Sequence, residues 1–348
     1  MKLKIMAAVL CFTLLSGCGE SEPEITEPAV EASAEATVAP EPLKEEKPAV
    51  NDTNEFIEKY VETKERPVGV MIDNDDKNAR PQAGIEDAYL VYEVVVEGGA
   101  TRFLALFRSD DVKKIGPVRS SRHYFLDFAL ENDVIYTHFG WSPKASADIP
   151  ALGVKNINGI QGGDDAVFWR EQKFKGDWHS AYTSIEKIRK RADAKGYAAE
   201  TDRKNGIAYS VEEVNLSPEN KASEIKLPYS GRYSTGYTYN PENGLYEKTI
   251  GGAPHKMQSG AVLSFKNVIV VLVSDTDLGD GSARRNINTS GSGKGYYFTN
   301  GCYEEITWSK PSRNGNTVYK KANDEELSIN TGKTVINLIS PSLGVEIK

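Results

Sequence analysis

The residues of this 348-residue chain whose types and spacing could do chemistry are arginines in its first half. Arg119 and Arg122 are three residues apart beside a predicted helix start, so their side chains share one face. They follow a Gly-Pro turn, which would place the backbone N–H groups of Ser120 and Ser121 at the positive end of that helix. Such donors hold phosphate or carboxylate groups. The candidate ligand-binding residues are Arg80, Arg102, Arg119, Ser120, Arg122 and Arg170.

The same arginines have a second interpretation, in which they pair internally with Asp73, Glu93 or Glu97. Glu97 and the two glycines after it follow a predicted strand, a position where α/β sheets commonly form sites. Glycines there either let the backbone approach a ligand or simply make a turn. Both interpretations stay open at the level of sequence.

Carboxylates and histidines could instead perform acid–base catalysis, because burial can separate the pKa values of paired groups. A lone histidine is more often a hydrogen-bonded structural residue. Three tryptophans could stack on sugar rings or belong to the core. The candidate catalytic residues are Asp73, Glu93, Glu97, His138 and His179, and the tryptophans are Trp141, Trp169 and Trp178.

Several familiar motifs are incomplete or absent. Gly293-Lys294 lacks the Ser or Thr and the earlier glycine of a phosphate-binding P-loop. The acidic run from Asp275 to Gly281 places its last Asp and Gly one residue late for a calcium loop, with Asn286 where the bidentate Glu belongs. Neither His-Glu-x-x-His nor Gly-x-Ser-x-Gly occurs. We therefore expect no metal and no cofactor, and nothing favours a serine hydrolase.

The N-terminus carries an export signal. Two lysines precede an apolar run from Ile5 to Leu15, which is shorter than the roughly 20 residues that span a bilayer. Leu15-Ser16-Gly17-Cys18 resembles the lipobox of bacterial lipoproteins, which implies cleavage before Cys18 and lipidation of its sulfur and new amino terminus. We predict a signal peptide over residues 1–17 and a lipid anchor (thioether and palmitate-type acyl chains) on the extracytoplasmic face of the cell membrane.

Residues 18–60 have the composition of a disordered linker that is rich in Glu, Pro and Ala. Residues 20–60 contain twelve acidic side chains against three lysines, and such a segment buries too little apolar surface to offset its chain entropy. The remaining chain is then almost neutral, although the whole carries −8. A basic footprint for nucleic acid is therefore missing. Cys302 is the only cysteine of the folded part, so no disulfide forms there, which favours a Gram-positive surface.

The folded part divides by its hydrophobic periodicity. Residues 61–220 alternate strand-like runs, such as Val68–Ile72 and Ala88–Val96, with helical patterns over Ser120–Glu131 and Ser184–Lys195, which predicts an α/β (or α+β) domain. Residues 221–348 show short strands separated by turns, which predicts a mainly-β domain, a small barrel or sandwich.

Motifs along residues 66–342 resemble those of the YerB-like lipoproteins, a family with two adjoining domains of unknown function. The resemblance supports the anchor and the domain boundary but implies no activity. The motifs begin at Arg66 (RPVGVMIDN), Ala79 (ARPQAG), Glu97 (EGGATR), Ile115 (IGPVRSSR), Thr137 (THFGWSP), Phe168 (FWR), Gly291 (GSGKG) and Asn330 (NTGKT), with His179 and Tyr182-Thr183-Ser184 as further matches.

These observations predict a membrane-anchored extracytoplasmic lipoprotein that binds an anionic cell-envelope ligand or a protein partner. The ligand would be a phosphorylated or carboxylated glycan or peptide of the cell wall. The alternative is a cell-wall-active hydrolase or transferase that uses the carboxylates and histidines of the first domain. No nucleic acid partner is expected.

Overall fold

The computed structural model describes residues 53–75, 78–108, 112–204 and 206–348. The predicted signal peptide, the predicted lipidation site Cys18 and most of the predicted linker lie outside these residues. Within them, no helix is both long enough and apolar enough to cross a membrane.

The helices are short and lie mostly in the first half of the chain. They are α1 (Thr53–Phe56), which continues as a π-helical turn (Ile57–Glu62), α2 (Phe125–Glu131), α3 (Pro143–Ala151) and α4 (Ile185–Ala194), with 3-10 turns at Ile85–Asp87, Glu97–Gly99 and Asp165–Val167.

Strands make up most of the rest. In the first part of the chain they are β1 (Val68–Asn74), β2 (Leu90–Val95), β3 (Thr101–Phe107), β4 (Ile135–His138), β5 (Asn156–Asn158), β6 (Trp169–Arg170), β7 (Ala181–Tyr182) and β8 (Ala208–Ser210). They continue as β9 (Glu224–Pro228), β10 (Ser234–Asn240), β11 (Leu245–Ile250), β12 (Ala253–Pro254), β13 (Ser264–Phe265), β14 (Asn267–Leu272) and β15 (Asp275–Asp277). The last are β16 (Arg285–Ile287), β17 (Gly291–Thr299), β18 (Cys302–Lys310), β19 (Val318–Lys321), β20 (Ser328–Asn330), β21 (Thr334–Ile339) and β22 (Glu346–Ile347).

One mixed sheet of ten strands forms the centre of the molecule, in the order β19-β18-β17-β14-β21-β2-β3-β1-β4-β5. Every residue of β1, β2, β3 and β21 is buried, because these strands are covered on both faces. Near one edge of the sheet, α4 packs against β4 and β5. The α4 helix begins after Ser184, whose side chain accepts a hydrogen bond from the Lys187 N–H group.

The predicted α/β and mainly-β halves are both present, but they share this sheet. β2 pairs in parallel with β21, with Leu90 opposite Thr334 and Val94 opposite Leu338. The boundary predicted at residue 220 therefore does not divide the sheet. The expected self-contained barrel or sandwich of the second half is wrong in this respect, because five of its strands complete the sheet of the first half.

A second sheet contains only strands from the second half, in the order β12-β11-β10-β9-β22, with β13 paired to β11. Its strands β9, β10 and β11 form an antiparallel meander. The inward positions of β11 follow the period of two, and they include Tyr246 and Lys248.

The described part of the chain includes the last residues of the predicted linker, which ends at residue 60. Phe56 is buried and its ring lies 5.0 Å from that of Tyr60 and 5.2 Å from that of Tyr209. The Tyr60 ring stacks on Tyr89, and the Tyr60 carbonyl accepts a hydrogen bond of 2.6 Å from Arg108 Nη1. Aromatic burial thus orders the last residues of the segment that composition assigned to the linker.

A fully buried ion pair joins the two sheets. Lys248 Nζ of β11 lies 2.5 Å from Glu93 Oε2 of β2, and neither side chain is exposed. Glu93 Oε1 accepts hydrogen bonds from Thr101 and Asn74, and Lys248 Nζ also donates to Tyr237 and Thr235. Burial lowers the pKa of Lys248, and the charge of Glu93 opposes this shift.

We expect Lys248→Met to destabilise the protein by about 3–5 kcal/mol, because the substitution leaves the Glu93 carboxylate buried without its counter-charge. Urea denaturation measures the change. The control is Lys226→Met, which removes an exposed pair with Glu346 and should cost no more than about 1 kcal/mol. A Lys248→Met variant as stable as this control would contradict the assignment.

Candidate functional site

The candidate residues gather where several strands end. β1 is parallel to β4, β4 is parallel to β5, and β1 and β2 both run antiparallel to β3, so β1, β2, β4 and β5 point the same way. Their carboxyl ends meet at one edge of the sheet, where sites in α/β proteins commonly lie.

Asp73, near the end of β1, is the centre of this edge. Its side chain is fully buried, and Oδ2 lies 2.6 Å from His179 Nδ1 and 2.8 Å from Arg119 Nε. The Arg119 contact is ionic, because Arg119 Nε makes no hydrogen bond to the carboxylate. Burial favours the neutral acid, but the hydrogen bond from His179 and the charges of Arg119 and Arg102 outweigh it, so the pKa of Asp73 is lowered.

Arg102 lies opposite Asp73 in the register of β1 and β3 and is only 4% exposed. Its Nη1 donates to the Ser120 carbonyl at 2.8 Å, and its Nε has no hydrogen-bond partner among the described residues. Burial and repulsion from Arg122 and Arg119 lower its pKa to about 10, against the attraction of Asp73 and Glu97. The buried Arg102 guanidinium therefore lacks a hydrogen-bond partner for its Nε–H group within the described part of the chain.

Arg122 and Glu97 form a bidentate pair, with Nε–Oε1 at 2.5 Å and Nη2–Oε2 at 2.8 Å. Burial raises the pKa of Glu97, but the hydrogen bonds and charge of Arg122 outweigh it and lower the pKa. The internal pairing that sequence left open therefore occurs for Arg122 with Glu97 and for Arg119 with Asp73.

The helix predicted from Ser120 begins only at Phe125. The Ser121 N–H group donates to the Gly140 carbonyl, and the Arg119 N–H group donates to the Met71 carbonyl. The expected helix start at Ser120 is therefore wrong, because this segment is extended and the Ser121 N–H group is already bonded to Gly140. Ser120 contributes its carbonyl to Arg102, and its hydroxyl donates to the Phe139 carbonyl.

Arg170 and Arg80 lie at the periphery. Arg170 is exposed, its guanidinium stacks over the Phe139 ring at 4.3 Å, and its Nη1 donates to the neutral Ser180 hydroxyl at 3.1 Å. Burial and the nearby charge of Arg119 lower the pKa of Arg170. Arg80 Nη1 donates to the Asn74 carbonyl at 3.1 Å.

Two candidate catalytic residues lie away from this group. Glu93 belongs to the buried pair with Lys248. His138 is buried at the end of β4, and its Nδ1 lies 2.7 Å from the Gly140 carbonyl. Burial lowers the pKa of His138 to about 4, so its ring is neutral. Of the two candidate catalytic histidines, His179 is the one that contacts a candidate carboxylate in the described part of the chain, namely Asp73.

The tryptophans differ in exposure. Trp178 is 67% exposed, and the Arg119 guanidinium lies 5.8 Å from its ring centroid. Trp169 and Trp141 are half-buried, with Trp169 Nε1 bonded to Glu171. Only Trp178 thus presents most of its surface to solvent.

The sequence interpretation missed the residues that support this edge from behind. Gln82 Nε2 donates to the Asp73 carbonyl and to Asn74 Oδ1, and Gln82 Oε1 contacts His255 Nε2 at 2.8 Å. Lys248 occupies an inward-facing position of β11, between Tyr246 and Ile250 on the same face. The alternation of inward and outward residues along this strand could have identified Lys248 from the sequence. Among the described residues, no three His, Cys, Asp or Glu side chains gather in a way that could hold a metal ion.

The chain belongs to a class of protein built from two adjoining domains of unknown function. Residues 53–198 match the family described as "Protein of unknown function (DUF3048) N-terminal domain", and residues 225–336 match its C-terminal domain. The chain is 32% identical over 281 residues to the Bacillus subtilis protein named "Putative lipoprotein YerB", covering 80% of this chain and 82% of that protein.

The crystal structure of YerB from Bacillus subtilis superposes with a TM-score of 0.70 at 30% identity, covering 81% of this chain and 94% of that one. The chain therefore belongs to the YerB family of lipoproteins. These comparisons agree with the resemblance found in its motifs and, like that resemblance, they assign no activity.

Because the pKa of Asp73 is lowered, we expect its stabilising effect to depend on pH. A carboxyl group with a lower pKa in the folded state stabilises the fold above its unfolded pKa of about 3.9, and the effect is lost as the pH falls through the folded value. Asp73→Asn should therefore be less stable than the natural protein at neutral pH, and the difference should shrink below about pH 4.

Denaturation in urea across this pH range measures the difference. Asp202→Asn, which removes only an exposed pair with Lys64, should give a small difference at every pH. A stability difference for Asp73→Asn that stays constant with pH would mean that the carboxylate charge is not what stabilises the site.

Proposed function

We propose that this chain is a lipid-anchored protein of the cell envelope that binds an anionic ligand at the surface formed by Arg119, Arg170 and Trp178. The observation that carries the proposal is an excess of positive charge at the carboxyl edge of the sheet. Glu97 bonds to Arg122 through both oxygens, and Asp73 faces both Arg119 and Arg102, so these two carboxylates face three arginines. Arg170 is bonded to a neutral hydroxyl.

An anion placed against Arg119 and Arg170 would relieve the repulsion between these guanidinium groups. Burial, and after it the charge of Arg119, lowers the pKa of Arg170 against the attraction of Asp177. Arg102 is too buried to touch such a ligand, but its charge adds to the local potential. The natural ligand groups are phosphate and carboxylate, which accept paired hydrogen bonds from a guanidinium.

Trp178 supports a ligand that also carries a sugar ring or another flat surface. Its loop is held by Asp177, which accepts hydrogen bonds from the His179 N–H group at 2.9 Å and the Lys173 N–H group at 3.1 Å. The exposed indole is therefore presented beside the arginines by a fixed loop. Aromatic faces of this kind stack on flat apolar surfaces. A phosphorylated or carboxylated glycan of the cell wall fits these requirements.

The predicted anchor limits where such a ligand can lie. A linker of about 40 residues spans roughly 35 Å on average if it behaves as a random coil, and repulsion between its acidic residues extends it. The ligand would therefore be met close to the outer face of the membrane.

Arg170→Glu should weaken binding to isolated cell walls by roughly tenfold or more, because a charge-assisted contact is replaced by repulsion. Co-sedimentation with walls, before and after removal of their phosphodiester polymers, measures the affinity. Arg170 is a better target than Arg119 or Arg122, because its substitution leaves Asp73 and Glu97 paired. Trp178→Ala should weaken binding without changing its dependence on salt.

The matched control is Lys187→Glu, which makes the same charge change at an exposed position in the first turn of α4. If Arg170→Glu and Lys187→Glu bound the walls equally, the proposed surface would be wrong. If binding survived removal of the phosphodiester polymers, the ligand would be a carboxylate of the remaining wall.

A hydrolase or transferase is the second candidate, and the contact between Asp73 and His179 favours it. A carboxylate on one ring nitrogen orients a histidine for acid–base work at the other. On this proposal, His179→Gln and Asp73→Asn would both abolish release of wall fragments, whereas Arg170→Glu would raise only the amount of substrate required. A natural protein that releases no fragments under conditions where it binds walls would exclude the enzyme.

A further inference from the structure

Three fully buried side chains meet between the two sheets: Asn74 of β1, Glu93 of β2 and Lys248 of β11. Glu93 Oε2 lies 2.5 Å from Lys248 Nζ, and Glu93 Oε1 accepts a hydrogen bond of 3.2 Å from Asn74 Nδ2. One carboxylate therefore holds an amine on one oxygen and a primary amide on the other. An amine can displace the nitrogen of an amide, and a carboxylate that contacts both can carry the protons that this reaction moves.

The surroundings of Lys248 favour its reactive form, which is the neutral amine. Burial lowers the pKa of Lys248, against the attraction of Glu93. Its Nζ lies 4.7 Å from the ring centroid of Tyr237 and 5.7 Å from that of Phe103. Such a site disfavours two separate charges, so a proton can pass from the ammonium group to the carboxylate. Lysines desolvated in this way act as nucleophiles in proteins.

The Asn74 amide is held in the orientation that the reaction requires. Its carbonyl oxygen Oδ1 accepts a hydrogen bond of 3.0 Å from Gln82 Nε2, a donor that would stabilise negative charge on this oxygen. Its nitrogen Nδ2 donates to Glu93 and also to Thr101 Oγ1 at 2.9 Å. The nitrogen that must leave therefore faces the carboxylate that can supply its proton.

We propose that Lys248 and Asn74 join through an isopeptide bond, with Glu93 as the proton carrier and the ion pair as the reactant. Glu93 takes a proton from Lys248, and the lone pair of Nζ attacks Asn74 Cγ while the carbonyl electron pair moves to Oδ1 beside Gln82. Glu93 then gives its proton to Nδ2 and takes a second one from Nζ. The Cγ–Nδ2 bond breaks, ammonia leaves, and a neutral amide remains beside a protonated Glu93.

A second buried amide is close to Glu93 but is oriented differently. Asn337 lies opposite Glu93 in the register of β2 and β21. Its Nδ2 donates to the Ile269 carbonyl, and its Oδ1 accepts hydrogen bonds from two tyrosine hydroxyls, at 2.9 Å from Tyr237. Its nitrogen is thus bonded to the backbone instead of the proton carrier, which favours Asn74 as the acceptor.

The bond would link the first sheet to the second between positions far apart in the chain. A covalent link that closes so long a loop restricts the unfolded chain, as a disulfide does. Cys302 is the only cysteine of the described residues and is free, so no disulfide supplies this link there. The proposal does not depend on the anionic ligand.

Mass spectrometry of the full chain after denaturation and trypsin digestion tests the proposal. We expect most chains to yield one branched peptide that joins residues 65–77 to residues 233–256, uncleaved after Lys248 because its ammonium group is gone. Loss of ammonia should make this peptide lighter than the sum of its parts by about 17 Da. A succinimide at Asn243-Gly244 would also lose ammonia, but it would leave the two peptides separate.

Two substitutions test the roles of the residues. Glu93→Gln keeps the shape of the side chain but cannot carry the proton, so its folded form should yield only the separate peptides. Asn74→Asp keeps the carbon that is attacked and should give the same branched peptide, with water as the leaving group. The digest of the natural protein needs no substitution, so it decides the proposal even if a variant fails to fold.

Lys310 is the control within the same digest. It is also buried and pairs with Glu131 at 2.8 Å, but that carboxylate is otherwise bonded to Thr317, so Lys310 should remain unlinked. Separate peptides with cleavage after Lys248 in the natural protein would overturn the proposal. So would a branch from Lys248 to Asn337, or a folded Glu93→Gln variant that is linked as completely as the natural protein.

Discussion

The buried pair of Glu93 and Lys248 is the interaction on which the rest of the structure depends. Two opposite charges without solvent are stable only if every remaining donor and acceptor is satisfied, so the pair requires Thr101, Asn74 and the hydroxyls of the second sheet to stay in place. Asn74 adjoins Asp73 at the end of β1. The position of the candidate site is therefore fixed by a contact that lies behind it, between the first sheet and the second.

At the edge in front of that pair, the carboxylates do not balance the arginines. Asp73 is shared between His179 and two guanidinium groups, and Glu97 bonds to Arg122 through both oxygens while Arg284 lies 4.0 Å from one of them. Because the Asp73 carboxylate is shared, part of the positive charge of Arg119 and Arg102 remains available to interact with a ligand outside the chain.

Much of the fold could be predicted from the sequence because its signals are local. The apolar runs predicted the buried strands, and Ser184 predicted the start of α4. The segment at Ser120 resembled a helix start, but its N–H groups bond to β1 and to Gly140, which no local pattern reveals. Phe56 and Tyr60 lie in an acidic segment. They are ordered because their rings pack against Tyr209 and Tyr89, which are distant in sequence.

Local sequence patterns were equally unable to predict the contacts of the candidate site. Residue types and spacing identified Asp73, Arg119 and His179 as candidates, but not their meeting, because His179 reaches Asp73 from a loop about 100 residues later. The sequence did not reveal which residue pairs with Glu93, for the same reason. Lys248 is an inward residue in an otherwise ordinary strand, and only the packing of one sheet on the other decides which acid it meets.

The pairing of β2 with β21 sets the order in which this protein can acquire its fold during synthesis. β2 is made roughly 240 residues before β21, so its edge stays open while the intervening chain is still being made. Contacts this distant along the chain close slowly and leave an apolar strand available to wrong partners meanwhile. Chaperones that cover this strand, or slow synthesis of the second half, would then matter as much to the yield of this protein as its final stability.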